Sequence, residues 1–133
     1  MSEAQPENLT GVWQGLYAYP ALLEPASFVA TVMDVSGALT GGIHEQSVDD
    51  GSKPVQRFAS LSGFREGQSA VFIKRYDGSG GWAHAVNYHG ALSFDRSEIE
   101  GFWEIPGAWS GRFLMIRSRA APVAVRRRAF QEG

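Results

Sequence analysis

Chemistry in this chain would fall to a handful of polar side chains that no familiar motif organises. General acid–base work would draw on Glu45, Arg57 or His84 turned to one face beside Tyr17 and Tyr19, because such groups pass protons only where they converge. No spacing selects a reaction for them. The 133 residues hold no Gly-x-Ser-x-Gly elbow, glycine-rich phosphate loop or paired-carboxylate motif. Ser110 lies in a Trp-Ser-Gly triplet without that context. Metal chemistry has as little to work with. His84 and His89 are five residues apart and face opposite sides of an unbroken strand, while His44 and Glu45 diverge as neighbours. With no cysteine and no His-x-His or His-x-x-x-His pair, a metal site would need distant pieces to converge, and none is expected. One inward histidine, such as His84, is a candidate axial ligand for a haem, and no cofactor is expected.

The elements that must position these residues read as strands. Sixteen glycines and strongly alternating segments leave little room for helix. Residues 10–19 alternate Trp13, Gly15, Tyr17 and Tyr19 against Val12, Gln14, Leu16 and Ala18. Pro20 and Pro25 bracket the turn that follows. β-Branched residues mark a second strand at 27–35, and Ser36-Gly37 turns it into a third at 38–47, where Gly41-Gly42 allows a bend. A polar loop at 48–54 precedes strands at 55–64 and 69–76, joined through Arg65-Glu66-Gly67. The glycine-rich segment 76–81 is a loop. Strands at 83–92, 97–105 and 109–118 complete the set, and in the second of these Ile99, Gly101, Trp103 and Ile105 alternate with Glu98, Glu100 and Glu104. Eight consecutive short strands fit an all-β, antiparallel up-and-down meander, and closing it into a barrel removes its exposed edges. The chain then divides into a flexible segment at 1–9, a barrel at 10–118 and a basic tail at 119–133.

Composition narrows the function classes. The net charge is −2, with residues 117–133 carrying +4 and residues 1–116 carrying −6. An acidic body repels phosphate backbones, so nucleic acid is not an expected partner. No apolar run approaches the ~18 residues a membrane helix requires, and no membrane association is expected. The absence of cysteine and of a signal-like N-terminus points to a cytoplasmic protein.

LTGVW (9–13), SGALTGG (36–42), LSGF (61–64) and EGFW (100–103) resemble, in order, the strand motifs of the avidin/streptavidin family, a branch of the calycins; the likeness spans residues 9–118. Gly11-x-Trp13 is shared with lipocalins and other calycins. The resemblance implies a barrel around a small-molecule site, with Trp13 closing the floor beneath Arg117 or Arg112 and with Tyr17 and Tyr19 pointing inward. It does not carry the biotin ligands across. Gly15 stands where the family has an asparagine and Tyr19 where it has a serine. Ile43 and Glu45 stand where its ligand Tyr and Ser follow the third-strand motif. Each buried partner left unpaired costs about 1–3 kcal/mol, so tight biotin binding is not expected.

The expectation is therefore a non-catalytic barrel binding a small, partly apolar molecule. Tyr17, Tyr19, Ile43, Trp82 and Trp103 are its expected contacts, and Glu45 and Arg57 its polar anchors. Small residues at Gly15 and Ala30 leave room beside the tyrosines; alternatively the rings fill the barrel and it serves assembly, or inward acid–base groups make it an enzyme. The second strand is apolar on both faces, which points to a homodimer or larger homo-oligomer.

Overall fold

The computed structural model describes residues 8–19, 26–48 and 53–118. Eight antiparallel strands run in chain order: β1 (Gly11–Ala18), β2 (Ala26–Val35), β3 (Ala38–Val48), β4 (Pro54–Glu66), β5 (Ser69–Tyr76), β6 (Ala85–Leu92), β7 (Glu98–Ile105) and β8 (Trp109–Arg117). Each pairs with the next, and β8 returns to β1 through a register that sets Trp13 opposite Arg117. The sheet is closed. The expected meander barrel is observed, with strand ends within two residues of those read from the alternation.

Alternation decides which residues enter the barrel. On β2 Phe28, Ala30, Val32 and Asp34 are buried while Val29, Thr31, Met33 and Val35 face out. On β5 the inward set is Ala70, Phe72, Lys74 and Tyr76. Glycines sit where a side chain would collide with the neighbouring strand. A Cβ at Gly41 would lie 2.1 Å from the Thr31 carbonyl oxygen, and one at Gly101 would lie 1.9 Å from that of His89. These are backbone contacts, which a flexible side chain cannot relieve.

The β4–β5 connection differs from expectation. Arg65 and Glu66 belong to β4, and the turn narrows to Gly67-Gln68, with Gly67 at φ 61°. Arg65 is drawn into the strand because its guanidinium binds Asp34 (Nε to Oδ2, 2.5 Å) and its backbone N–H donates to the Gly37 carbonyl. Pro20 and Pro25, most of the 48–54 loop, the segment 1–7 and the tail 119–133 lie outside the described residues. The glycine-rich 76–81 segment forms one 3-10 turn at Ser79–Gly81.

One end of the barrel is sealed. Trp13 is fully buried, donates its indole N–H to the Leu9 carbonyl, and lies beneath the Arg117 guanidinium at 4.8 Å. Of the two arginines expected over this ring, Arg117 takes the place; Arg112 lies exposed at the other end, opposite Ala18. Asp34 accepts the N–H groups of Leu9 and Gly37 as well as Arg65. Burial alone would raise its carboxyl pKa, but these hydrogen bonds outweigh it and hold the group below the usual range. Above this floor Phe72 and Tyr88 stack at 4.9 Å, with Phe113 edge-on to Tyr88 at 4.8 Å. The lower half of the barrel is packed solid.

Candidate functional site

The upper half is not packed. A cavity of about 820 Å³ lies within the end formed by the last residues of β1 and the first of β2, β6 and β8. Its walls are aromatic: Tyr19 meets Trp103 at 5.8 Å and Trp109 at 5.2 Å, both edge-on, and Tyr76 meets Trp82 at 5.1 Å. Its base is ionic. Lys74, Tyr17, Tyr76 and Tyr88 all line it.

These four side chains converge because closure of the sheet sets β1 across the barrel from the neighbouring strands β5 and β6, and all four point inward. Lys74 and Tyr76 share the inner face of β5, and Tyr88 pairs with Phe72 one step below. Glu45 completes the group from β3, where the same alternation that turns His44 outward onto Phe58 turns its neighbour in. The Lys74 ammonium lies 2.5 Å from Glu45 Oε2. Tyr76 donates to that same oxygen at 2.6 Å, and Tyr17 donates to Oε1 at 2.8 Å. Lys74 also donates to the Tyr88 hydroxyl at 3.4 Å. Its Nζ sits 4.5 Å from the centre of the Tyr17 ring and 4.8 Å from those of Phe28 and Tyr76. A lysine boxed by rings and tied to one carboxylate is held as a cation by both, against the cost of leaving water.

Electrostatics follow from that burial. Lys74 is 1% exposed and Glu45 3%. Desolvation drives the Lys74 pKa below its ordinary value, although Glu45 pulls the other way. Desolvation, reinforced by the negative charge of Glu45, pushes the Tyr17 and Tyr76 hydroxyls far above theirs, and burial does the same to Tyr88. These phenols stay neutral; Tyr17 and Tyr76 donate to Glu45, while Tyr88 accepts from Lys74. At the rim, His84 stands 4.9 Å from the Tyr76 ring; desolvation, then the charge of Lys74, lowers its pKa.

The residues expected as contacts divide accordingly. Tyr17, Tyr19, Trp82 and Trp103 line the cavity. Glu45 stands behind it, reaching it only through Tyr17, Tyr76 and Lys74. Arg57 also stands back, its guanidinium 3.7 Å over Trp82 and donating to the Ser47 hydroxyl at 2.8 Å. Ile43 is buried in the core away from the lining. The room expected beside Gly15 is taken by Phe28, whose ring atom lies 2.2 Å from where a Cβ would stand. Lys74, Tyr76 and Tyr88 were not among the expected contacts. Either parity of β5 offered apolar residues and a cation, Phe72 with Lys74 or Ile73 with Arg75, so alternation alone did not choose. Among the described residues, no three His, Asp or Glu side chains gather as a metal site would require. No family model and no curated protein matches the chain.

Proposed function

We propose that the protein is a calycin-type barrel that binds one small, planar, largely apolar molecule, with its polar end resting on the Lys74–Glu45–tyrosine base. The observation that carries this reading is the cavity: about 820 Å³ of space bounded by aromatic rings in a barrel whose lower half is packed tight. Small-molecule sites have volumes of about 300–1,000 Å³, apolar walls and a few convergent polar groups. The base favours a neutral ligand with a hydrogen-bond acceptor over an anion, because a carboxylate entering here would contend with Glu45 for the same ammonium. The closed eight-strand order and the Trp13–Arg117 floor support the avidin-like and calycin kinship; Gly15 and Tyr19, where that family has an asparagine and a serine, argue against biotin.

The outer wall supports self-association as part of the same proposal. Successive register pairs link Val35, Ala38, Phe64, Val71, His89 and Phe102 in one row from β2 to β7, and Phe64 is 66% exposed. An outward row that is apolar except for the half-buried His89, crossing several strands, is the kind of surface an isologous contact uses.

The ligand proposal is tested with the neutral planar fluorophore 1-aminoanthracene. Three of the chain's four tryptophans, Trp82, Trp103 and Trp109, line the cavity. Titration is expected to quench tryptophan emission saturably at one probe per chain. Ala26→Phe, which places a ring at the cavity wall opposite Tyr17, is expected to weaken binding at least tenfold, or about 1.4 kcal/mol. Linear, unsaturable quenching would overturn the reading.

A further inference from the structure

The chain contains two lysines, Lys53 and Lys74, against ten arginines. Lys53 is exposed; Lys74 lines the cavity. As a bare cation in an aromatic box, arginine would serve as well or better, since guanidinium is the more weakly hydrated group. What lysine adds is an amine that can lose its proton and act as a nucleophile, which arginine cannot do in a protein.

We propose that Lys74 captures the carbonyl group of a small, apolar aldehyde or ketone in the cavity as a reversible imine. This rests on the cavity being a binding site. The Nζ lone pair attacks the carbonyl carbon, and the C=O π pair moves to oxygen. The ammonium's proton passes first to Glu45, 2.5 Å away, which frees the amine. The alkoxide of the carbinolamine takes a proton from the new C–N nitrogen. The hydroxyl then leaves as water, taking the proton held on Glu45, as the C=N bond forms. Atoms and charge balance with no oxidant or reductant: ammonium plus carbonyl gives iminium plus one water, and Glu45 ends as the carboxylate it began as. Tyr17 and Tyr76, hydrogen-bonded to the two Glu45 oxygens, keep the carboxylate aimed at Nζ through both proton transfers. The iminium carries the charge of the ammonium it replaces, so the Tyr17, Phe28 and Tyr76 rings, within 4.8 Å of Nζ, stabilise it by the same attraction. The lowered proton affinity that burial gives Lys74 favours the free amine needed for attack.

Two features make the test clean. Lys53 is an internal control on the same chain, and Lys74→Arg preserves a cation while removing imine chemistry. The full-length protein is incubated at pH 7 with cinnamaldehyde and sodium cyanoborohydride, then read by intact mass and peptide mapping. The expected product is one adduct per chain, heavier by one aldehyde less one oxygen atom, mapping to Lys74 ahead of Lys53. Labelling should saturate with aldehyde, fall when 9-methylanthracene, which has the same ring system and no amine to consume the aldehyde, competes, and vanish from position 74 in Lys74→Arg. If Lys53 and the N-terminal amine are labelled while Lys74 is spared and 1-aminoanthracene still binds saturably, carbonyl capture is overturned and the binding reading stands. If neither label nor probe occupies the cavity, both fall. Should Lys74→Arg fail to fold, preference for Lys74 over Lys53 and competition by 9-methylanthracene in the wild-type chain decide the matter alone.

Discussion

Glu45 holds Lys74, Tyr17 and Tyr76 at once, so it is the residue whose loss the barrel interior should feel most. Glu45→Gln keeps the shape but strands a buried ammonium. Breaking a buried pair from one side costs about 3–5 kcal/mol, and denaturant unfolding is expected to show a loss of that size. The double change Glu45→Leu with Lys74→Met removes both charges and should cost less than Glu45→Gln, since apolar replacement of an intact pair is often near neutral. A cost equal to or above the single change would mean the cluster is not a paired charge system. The tyrosines give an optical check. Tyr17, Tyr76 and Tyr88 have hydroxyl pKa values raised above their ordinary 10 by burial, then by Glu45. Groups with raised folded-state values contribute stability that is complete below pH 10 and is lost as pH climbs above it. Lys74, with a lowered value, acts oppositely, its burial cost easing as pH rises toward 10.5. Phenolate absorbance at about pH 11 is therefore expected to leave three of the four tyrosines silent until the protein unfolds, and early ionisation of all four would contradict it. At this scale the sequence was partly legible. Tyr17, Tyr19, Trp82 and Trp103 followed from alternation and from the family likeness, but Lys74 did not, because both faces of β5 look plausible as a core.

Among the elements, the sealed end and the close strand crossings carry the fold. Asp34 is a buried carboxylate that ties β2 to the segment before β1, to the β2–β3 turn and to Arg65 on β4. Asp34→Asn is expected to cost about 2–4 kcal/mol in thermal or chemical unfolding, the range for removing one partner of hydrogen-bonded charges. Its lowered pKa means the contribution is present at neutral pH and is lost only as pH falls through that depressed value, so the mutant should lack the wild type's drop in stability at low pH. Gly101→Ala, with its Cβ 1.9 Å from a backbone oxygen, should cost about 3 kcal/mol or more, the upper end for overpacking. The strands themselves were readable: eight alternating segments with turn residues between them gave order and approximate ends. What alternation could not supply was the reach of β4 to Glu66, which depends on a contact between Arg65 and Asp34, 31 residues apart.

The described strands close a barrel whose lower half holds the buried core and whose upper half holds the cavity. Residue types alone allowed either a filled or a hollow barrel. The division arises because Phe28, Phe72, Tyr88 and Phe113 crowd the middle, while the rings nearer the open end lie against the wall. On its outside, the row from Val35 to Phe102 predicts a homo-oligomer by analytical ultracentrifugation, reduced to monomer by Phe64→Glu; a wild-type monomer at high concentration would contradict it. The central claim is that the cavity is occupied by a small molecule in use. Native mass spectrometry of the protein purified gently from its own host tests this most directly. One small-molecule adduct per chain, released on denaturation and missing from Ala26→Phe, is the predicted result. A wild-type spectrum holding only bare polypeptide would contradict it.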